Sequence, residues 1–329
     1  MKRRLIAYSI SLIYCIITLF VWMRYASEIF GTHVNYQTQN YGIVISQVLV
    51  LGGALVAFAL IDKRHERHKI NADNHTPSSV AIPRIFKQYG ILLIISVILL
   101  LIMFSFREFI GNVVYLFTKA SIYLPSSEET DTRTFSQLLM TLTSVGIVTP
   151  IFEELFFRGL LIGKFNNVPA FFACGISLCS FLLMHNNIEQ VVYIFPMALV
   201  CCMIYRKTMK IAFPIFIHII INVFGTINTF VNKWVFPLDK AVEKQSAYIA
   251  GINSAGLFMI IALLVIVLLV ALKLFYSIAD ENHPDTKAKK SETAIYVIVG
   301  FIFITALFLR FLIAISPQEV IDSVEIPIQ

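Results

Sequence analysis

Residues 152–158 read Phe-Glu-Glu-Leu-Phe-Phe-Arg and lie in a stretch that is otherwise apolar enough to cross a lipid bilayer. Charged side chains at that depth cost free energy, so they tend to be paired and to mark a functional site. At helical spacing Glu154 and Arg158 are one turn apart and can form an ion pair. Glu153 points about 100° away on the same turn and has no local partner. The fold therefore has to supply the groups that face Glu153.

The composition is that of a membrane protein. Of the 329 residues, 58% are hydrophobic, only 14% are charged, and the mean hydropathy is +0.79, whereas about a quarter of the residues of a soluble domain are charged. The net charge of +6 agrees with the excess of Lys and Arg in cytoplasmic loops, and no nucleic-acid-binding motif accompanies it. We therefore expect the lipid bilayer, and not a nucleic acid, to surround this chain. The cysteines lie in apolar segments without disulfide or metal-ligand spacing and are expected to be reduced.

Nine apolar stretches are long enough to be predicted as transmembrane helices. They cover residues 5–23, 41–61, 89–106, 135–164, 170–185, 191–205, 211–230, 252–276 and 294–315. A further stretch, 111–124, is apolar but short and aromatic, so we expect it to lie in the interface or to re-enter the membrane. The predicted fold is an all-α polytopic membrane helical bundle of about eight or nine transmembrane helices.

The chain divides into three predicted parts, with the motif-bearing core in the middle. These are residues 1–134, with about three spans and a basic loop at 62–87, residues 135–230, and residues 231–329, with about two spans. The apolar run after Lys2-Arg3-Arg4 is longer than that of a secretory signal and lacks a small-x-small cleavage site, so it is predicted to be a retained span. Most of the 26 Lys and Arg residues fall on one side of the alternating spans, which predicts a cytoplasmic N-terminus.

Two further spans carry histidines. Residues 170–185 end in Phe181-Leu-Leu-Met-His185, and residues 211–230 contain His218-Ile-Ile-Ile-Asn222. The second spacing puts His218 and Asn222 on one face of a helix.

The depths of the carboxylate and the first histidine are predicted to match. Glu153 and His185 are each 16 residues from Pro169, which lies in the turn predicted between their spans. That distance is roughly 24 Å of helix. His218 enters its helix from the same side and lies about 12 Å from the start. We therefore expect these groups to meet in a pocket within the membrane.

Such a pocket is suited to hydrolysis. A buried carboxylate can act as a general base on water, and a histidine beside it can relay the proton. A histidine and an amide one turn apart can donate to a developing oxyanion. Zinc also accepts a glutamate with two histidines, here Glu153, His185 and His218, so a glutamate–water and a zinc–water mechanism both stay open. Taken singly, each histidine is more often an interhelical hydrogen-bonding residue.

Three motifs in the core resemble the CAAX prenyl protease and bacteriocin-processing (CPBP, also called Abi) family of intramembrane endopeptidases. They are Glu153-Glu154-x-x-x-Arg158, Phe181-x-x-x-His185 and His218-x-x-x-Asn222. The resemblance covers roughly residues 135 to 230. It implies hydrolysis of peptide bonds in a membrane-associated or lipidated polypeptide. Eukaryotic members remove the last three residues of prenylated CAAX proteins, and many bacterial relatives are linked to bacteriocin maturation, self-immunity or peptide-signal processing.

The resemblance also implies a role for each residue. Glu153 would activate the attacking water with help from His185, and His218 with Asn222 would form the oxyanion hole. The Glu–Arg pair would support the site or position the substrate C-terminus. The glutamate-type mechanism requires no cofactor, while the family's earlier description as metalloproteases keeps zinc open. Short loops and the lack of a soluble domain favour a bacterial plasma membrane.

Two other classes of function are compatible with these residues. A non-catalytic immunity or interaction protein would use the same fold to bind a bacteriocin or its receptor. A proton- or cation-coupled transporter would use Glu153, His185 and His218 as a relay. The three intact motifs favour the enzyme, and the lack of a detectable internal repeat disfavours the transporter.

Overall fold

A computed structural model describes eight ranges of the chain: residues 2–30, 36–62, 82–118, 134–165, 168–185, 188–235, 247–279 and 290–314. Within these ranges all regular secondary structure is helical. Seven helical stretches are long and apolar enough to cross a membrane: Arg4–Trp22, Tyr41–Asp62, Arg84–Ile110, Phe135–Phe165, Gln190–Thr208, Ala212–Val231 and Ser254–Ile278. The two remaining predicted spans form shorter apolar helices, Ala170–Leu183 and Thr293–Phe308. The chain is therefore a multi-pass, all-α membrane bundle, as predicted.

The described helices are labelled in chain order. They are α1 (Lys2–Phe30), α2 (Tyr36–Ser46), α3 (Gly53–Asp62), α4 (Ile82–Thr118), α5 (Phe135–Thr141), α6 (Thr149–Glu154), α7 (Ala170–Leu183), α8 (Ile188–Thr208), α9 (Ala212–Val235), α10 (Ala247–Ile278) and α11 (Lys290–Ala314). Three π-helical segments interrupt the second and fourth spans: Gln47–Gly52 between α2 and α3, Leu142–Val148 between α5 and α6, and Leu155–Leu160 after α6. A π segment widens the helix by one residue and often lies at a functional site.

The stretch 111–124 was expected to lie in the interface or to re-enter the membrane. Re-entry is wrong for its described part, whereas a position in the interface stays a prediction. Residues 111–118 continue α4 without interruption to Thr118. A continuing helix satisfies each backbone N–H and C=O internally, which a re-entrant loop in lipid cannot do. Residues 119–124, and residues 63–81 of the basic loop, lie outside the described ranges.

Basic side chains hold one end of the bundle together. At this end α1 and α4 begin, and α3, α8 and α10 end. The contacts are Arg4 Nε to Asp62 Oδ2 at 3.7 Å, Arg84 Nη2 to the Ile278 carbonyl at 2.8 Å, and Arg206 Nη2 to the Val168 carbonyl at 2.7 Å. This grouping agrees with the predicted clustering of positive charge, whereas the assignment of this end to the cytoplasm stays a prediction.

The first and last described helices pack against the motif-bearing span. The Tyr8 ring of α1 stacks on the Tyr296 ring of α11 at 5.1 Å, and each ring lies 4.8 Å from Phe165. The Tyr296 hydroxyl also donates a hydrogen bond of 2.6 Å to the Leu161 carbonyl. The core thus draws on all three predicted parts of the chain, while their division at residues 134 and 230 stays a prediction.

Candidate active site

The span that carries the two glutamates begins with a capping box. The Thr134 hydroxyl accepts a hydrogen bond of 3.3 Å from the Gln137 backbone N–H, and the Gln137 side chain accepts one of 2.8 Å from Thr134 N–H. This exchange satisfies backbone donors at the start of α5. The glutamates follow on α6, with a π segment on either side, and both are buried.

Arg158 and Glu154 form the ion pair that their spacing predicts. Arg158 Nη1 lies 3.1 Å from Glu154 Oε1, and neither side chain has exposed surface. Arg158 Nη2 donates a hydrogen bond of 3.1 Å to the Ala198 carbonyl on α8. The guanidinium carbon lies 4.5 Å from the centre of the Phe181 ring, a distance at which cation and ring attract each other. Three helices therefore fix this arginine.

His218 on α9 lies between the two glutamates. Its Nδ1 is 2.9 Å from Glu154 Oε1, and its Nε2 is 3.7 Å from Glu153 Oε2. An ionised carboxylate can only accept, so beside an ionised Glu154 the shared proton is on Nδ1. Nε2 is then the nitrogen that can exchange a proton on the Glu153 side.

The two glutamates differ in their surroundings. Glu154 Oε1 faces both Arg158 and His218, although its Oε2 accepts no hydrogen bond from a described residue. Glu153 accepts a hydrogen bond of 3.3 Å from Gln47 Nε2, on the second span, and its Oε2 lies 3.7 Å from the Nε2 atom of His218. Glu154 thus contacts two basic side chains, whereas Glu153 contacts one amide and one imidazole.

His185 contacts this cluster indirectly, because the Phe181 ring lies close to both His185 and His218. Its Nδ1 lies 3.0 Å from the Phe181 carbonyl, and its ring centre lies 5.1 Å from the Phe181 ring. The Phe181 ring also lies 5.8 Å from the His218 ring. Phe181 therefore contacts both histidines, and the hydrogen bond of His185 Nδ1 to a carbonyl places its proton on Nδ1 in the neutral ring.

Asn222 lies one turn after His218 and donates a hydrogen bond of 3.0 Å to the Val145 carbonyl. Val145 belongs to the π segment Leu142–Val148, so this contact ties α9 to the span that bears the glutamates. Four of the six predicted site residues thus meet directly, namely Glu153, Glu154, Arg158 and His218. His185 and Asn222 flank them, and their chemical roles stay predictions.

Sequence reasoning missed Gln47. It lies 106 positions before Glu153, in a different span, and its only sequence signal is an amide within an apolar stretch. All five cysteines have free thiols in the structure, and their reduced state in the cell stays a prediction.

Zinc ligation by Glu153, His185 and His218 also stays a prediction. Within the described ranges, no three His, Cys, Asp or Glu side chains are arranged to hold a metal ion. His218 Nδ1 is engaged with Glu154 instead, at 2.9 Å.

Fold and site together define a polytopic helical membrane protein with a buried glutamate–histidine–arginine cluster, a set of groups suited to acid–base chemistry on water. Residues 135–224, which include all six predicted site residues, match the family described as type II CAAX prenyl endopeptidase Rce1-like. This region of the chain is therefore similar to the CAAX protease family.

Two bacterial proteins are similar to part of the chain. YdiL of Bacillus subtilis, named as a membrane peptidase, is 31% identical over 122 residues, which cover 37% of this chain and 47% of YdiL. The membrane-embedded CAAX protease MroQ of Staphylococcus aureus is 32% identical over 109 residues, covering 31% of this chain and 43% of MroQ. The matched region is thus just under half the length of each relative. No solved structure matches the chain.

Proposed function

We propose that this protein is an intramembrane endopeptidase that hydrolyses peptide bonds of a membrane-associated or lipidated polypeptide. The observation that carries the proposal is that two adjacent buried carboxylates have different contacts. Glu154 lies 3.1 Å from Arg158, whereas Glu153 contacts an uncharged amide and lies 3.7 Å from an imidazole nitrogen. General acid–base catalysis needs a carboxylate that can exchange protons, and Glu153 is the one that is not paired with Arg158.

In the proposed reaction Glu153 is the general base. It takes one proton from water while the water oxygen forms a bond to the carbonyl carbon and the carbonyl π electrons move to oxygen. The tetrahedral intermediate then collapses and the C–N bond breaks. The proton held by Glu153 goes to the leaving nitrogen, so that the products are a new carboxyl group and a new amine. His185 assists this proton transfer.

His218 and Asn222 are proposed to stabilise the oxyanion. For this role His218 carries a proton on both ring nitrogens, so that Nδ1 donates to Glu154 and Nε2 donates to the oxyanion. The 3.7 Å separation between His218 Nε2 and Glu153 Oε2 allows both atoms to contact the same reacting group. The amide nitrogen of Asn222 carries two N–H groups, of which the Val145 carbonyl uses one. Donors fixed in advance by such contacts stabilise developing charge without reorganising.

The burial of the site supports a substrate that approaches from the bilayer. Glu153 is only 7% exposed and His218 only 3%, and both lie on helices that are long and apolar enough to span a membrane. A peptide reaching them has to enter between helices, which favours a lipid-anchored or membrane-embedded chain. The names of the relatives agree with a substrate of the CAAX type.

The proposal is tested by mass spectrometry of membrane peptides from cells that carry the wild type, Glu153→Ala or His185→Ala at matched expression. Ser96→Ala is the control, because its buried hydroxyl binds only the Leu92 carbonyl of its own helix. We expect a processed peptide with the wild type and the control, and its absence with the other two variants.

Unchanged peptides in all four strains would overturn the proteolytic proposal. If an immunity phenotype survived both site substitutions as well, the non-catalytic immunity protein would be the better description.

A further inference from the structure

Gln47 contacts the reactive carboxylate from outside the family-matched region of residues 135–224. Its Nε2 lies 3.3 Å from Glu153 Oε1 and donates to it. Its amide oxygen is buried and accepts no hydrogen bond from any described residue. A buried polar atom without a partner costs free energy.

The backbone around Gln47 is fixed on two sides. The Tyr14 hydroxyl of α1 donates a hydrogen bond of 2.9 Å to the carbonyl of Leu49, within the same π segment. On the other side, Gly52 packs so closely on α6 that a Cβ there would lie 2.9 Å from Cε1 of Phe152. The second span is thus in close contact with Phe152, the residue that precedes Glu153. The position of Gln47 is thus set by packing on both neighbouring helices.

Thr149 gives the site a further polar group without a hydrogen-bond partner among the described residues, in addition to atoms of Glu154 and Arg158. It lies one helical turn before Glu153 and therefore on the same face of α6. Its buried hydroxyl makes no hydrogen bond to a described residue. The amide oxygen of Gln47 and this hydroxyl are thus two buried polar groups on the elements that carry or contact Glu153, the carboxylate proposed to react.

Gln88 shows what a structural glutamine does in this bundle. It is buried, and its Nε2 donates a hydrogen bond of 3.2 Å to the Ile278 carbonyl at the end of α10. That carbonyl is one of the last in its helix and needs a donor from outside. The acceptor of Gln47 differs from this carbonyl. It is the side chain of Glu153, whose orientation decides which oxygen reacts.

We propose that Gln47 is the positioning residue of Glu153, an inference that rests on the proposed function. Its N–H holds Oε1, so Oε2 is the oxygen directed to His218 Nε2 and to the attacking water. The substrate need not contact Gln47, so its loss should lower kcat and leave KM nearly unchanged. Partners of this kind, which orient a reacting group, typically affect activity about 10- to 100-fold.

The test compares Gln47→Leu with Gln88→Leu, each made in the full chain and reconstituted in lipid vesicles. Both changes delete one interhelical hydrogen bond from a glutamine and keep a side chain of similar length. With a fluorogenic farnesylated CAAX peptide as the probe, we expect Gln47→Leu to reduce kcat at least about 10-fold with KM within about 2-fold. Gln88→Leu should keep the wild-type kcat.

A spectroscopic measurement tests the contact without proteolysis. The infrared carboxylate band of Glu153 is assigned from the difference between the wild type and Glu153→Gln. Because the band frequency depends on hydrogen bonding, Gln47→Leu should shift it and Gln88→Leu should leave it in place.

An unshifted band, or a kcat for Gln47→Leu within about 2-fold of the wild type, would overturn the role of Gln47. If the wild type and Glu153→Gln cleaved the probe equally, the proposed function would fail, and the infrared band alone would decide whether Gln47 orients Glu153.

Discussion

Removing Arg158 alone is expected to destabilise the protein strongly. Its Nη1 lies 3.1 Å from Glu154 Oε1, with both side chains fully buried. At an effective dielectric constant of about 20, two charges at this separation attract each other by about 5 kcal/mol. Truncating one partner of a buried pair leaves the other charge uncompensated and costs about 3–5 kcal/mol. We therefore expect Arg158→Met to lower the free energy of unfolding by that amount.

The double variant Glu154→Leu/Arg158→Met should recover most of that loss. Replacing both charges by apolar side chains of similar volume removes the desolvation cost together with the attraction. Recovery should be incomplete, because the Ala198 carbonyl loses its donor from Arg158 and His218 loses its acceptor on Glu154. Each lost hydrogen bond contributes about 1 kcal/mol.

Free energies of unfolding are measured for the wild type, both single variants and the double variant by reversible denaturation in detergent micelles. The double variant should be more stable than either single variant, yet it should not cleave substrate, because His218 is no longer held. Losses in the single variants that simply add up in the double variant would contradict the reasoning, since additivity means that the two residues do not interact.

Two further predictions concern packing and metal dependence. Gly163→Ala would place a Cβ against the hydroxyl oxygen of Tyr205, so it should cost about 1–3 kcal/mol of unfolding free energy; adding Tyr205→Phe, which removes that oxygen, should restore part of the loss in the same denaturation assay. Treatment with 1,10-phenanthroline should leave the rate of peptide cleavage unchanged under the glutamate mechanism; a loss of activity that added zinc restores would favour ligation by Glu153, His185 and His218 instead.

The sequence predicts the local part of the site well. The Glu154–Arg158 pair follows from a spacing of four residues within one helix, and this pair is present. His218 is identified from the sequence for a related reason. An ionisable side chain is rare in an apolar span and needs a partner there. Such inferences depend on one span at a time, and a spacing of four residues brings the Glu154–Arg158 pair together even though Arg158 lies in the π segment Leu155–Leu160.

Contacts between helices follow less directly from the sequence because π segments change the period. The segment Gln47–Gly52 adds a residue to the turn before α3, so a face assigned by α-helical periodicity on one side of it does not continue on the other. Gln47 cannot be placed opposite Glu153 by counting. Re-entry after α4 was wrong for a different reason, because a long apolar helix tends to continue and α4 runs on to Thr118.

The contact between Gln47 and Glu153 bears on how far a match over residues 135–224 can be extended. That region supplies the two carboxylates, both histidines and the arginine, but the described hydrogen-bond donor to Glu153 Oε1 comes from the second span. A protein with the same core and a different second span would therefore keep the Glu154–Arg158–His218 cluster while holding Glu153 differently. Such a difference should change kcat more than substrate binding, because it alters the orientation of the base and not the substrate-binding surface. Similarity over the core therefore identifies the class of chemistry, whereas the rate also depends on the helices packed around it.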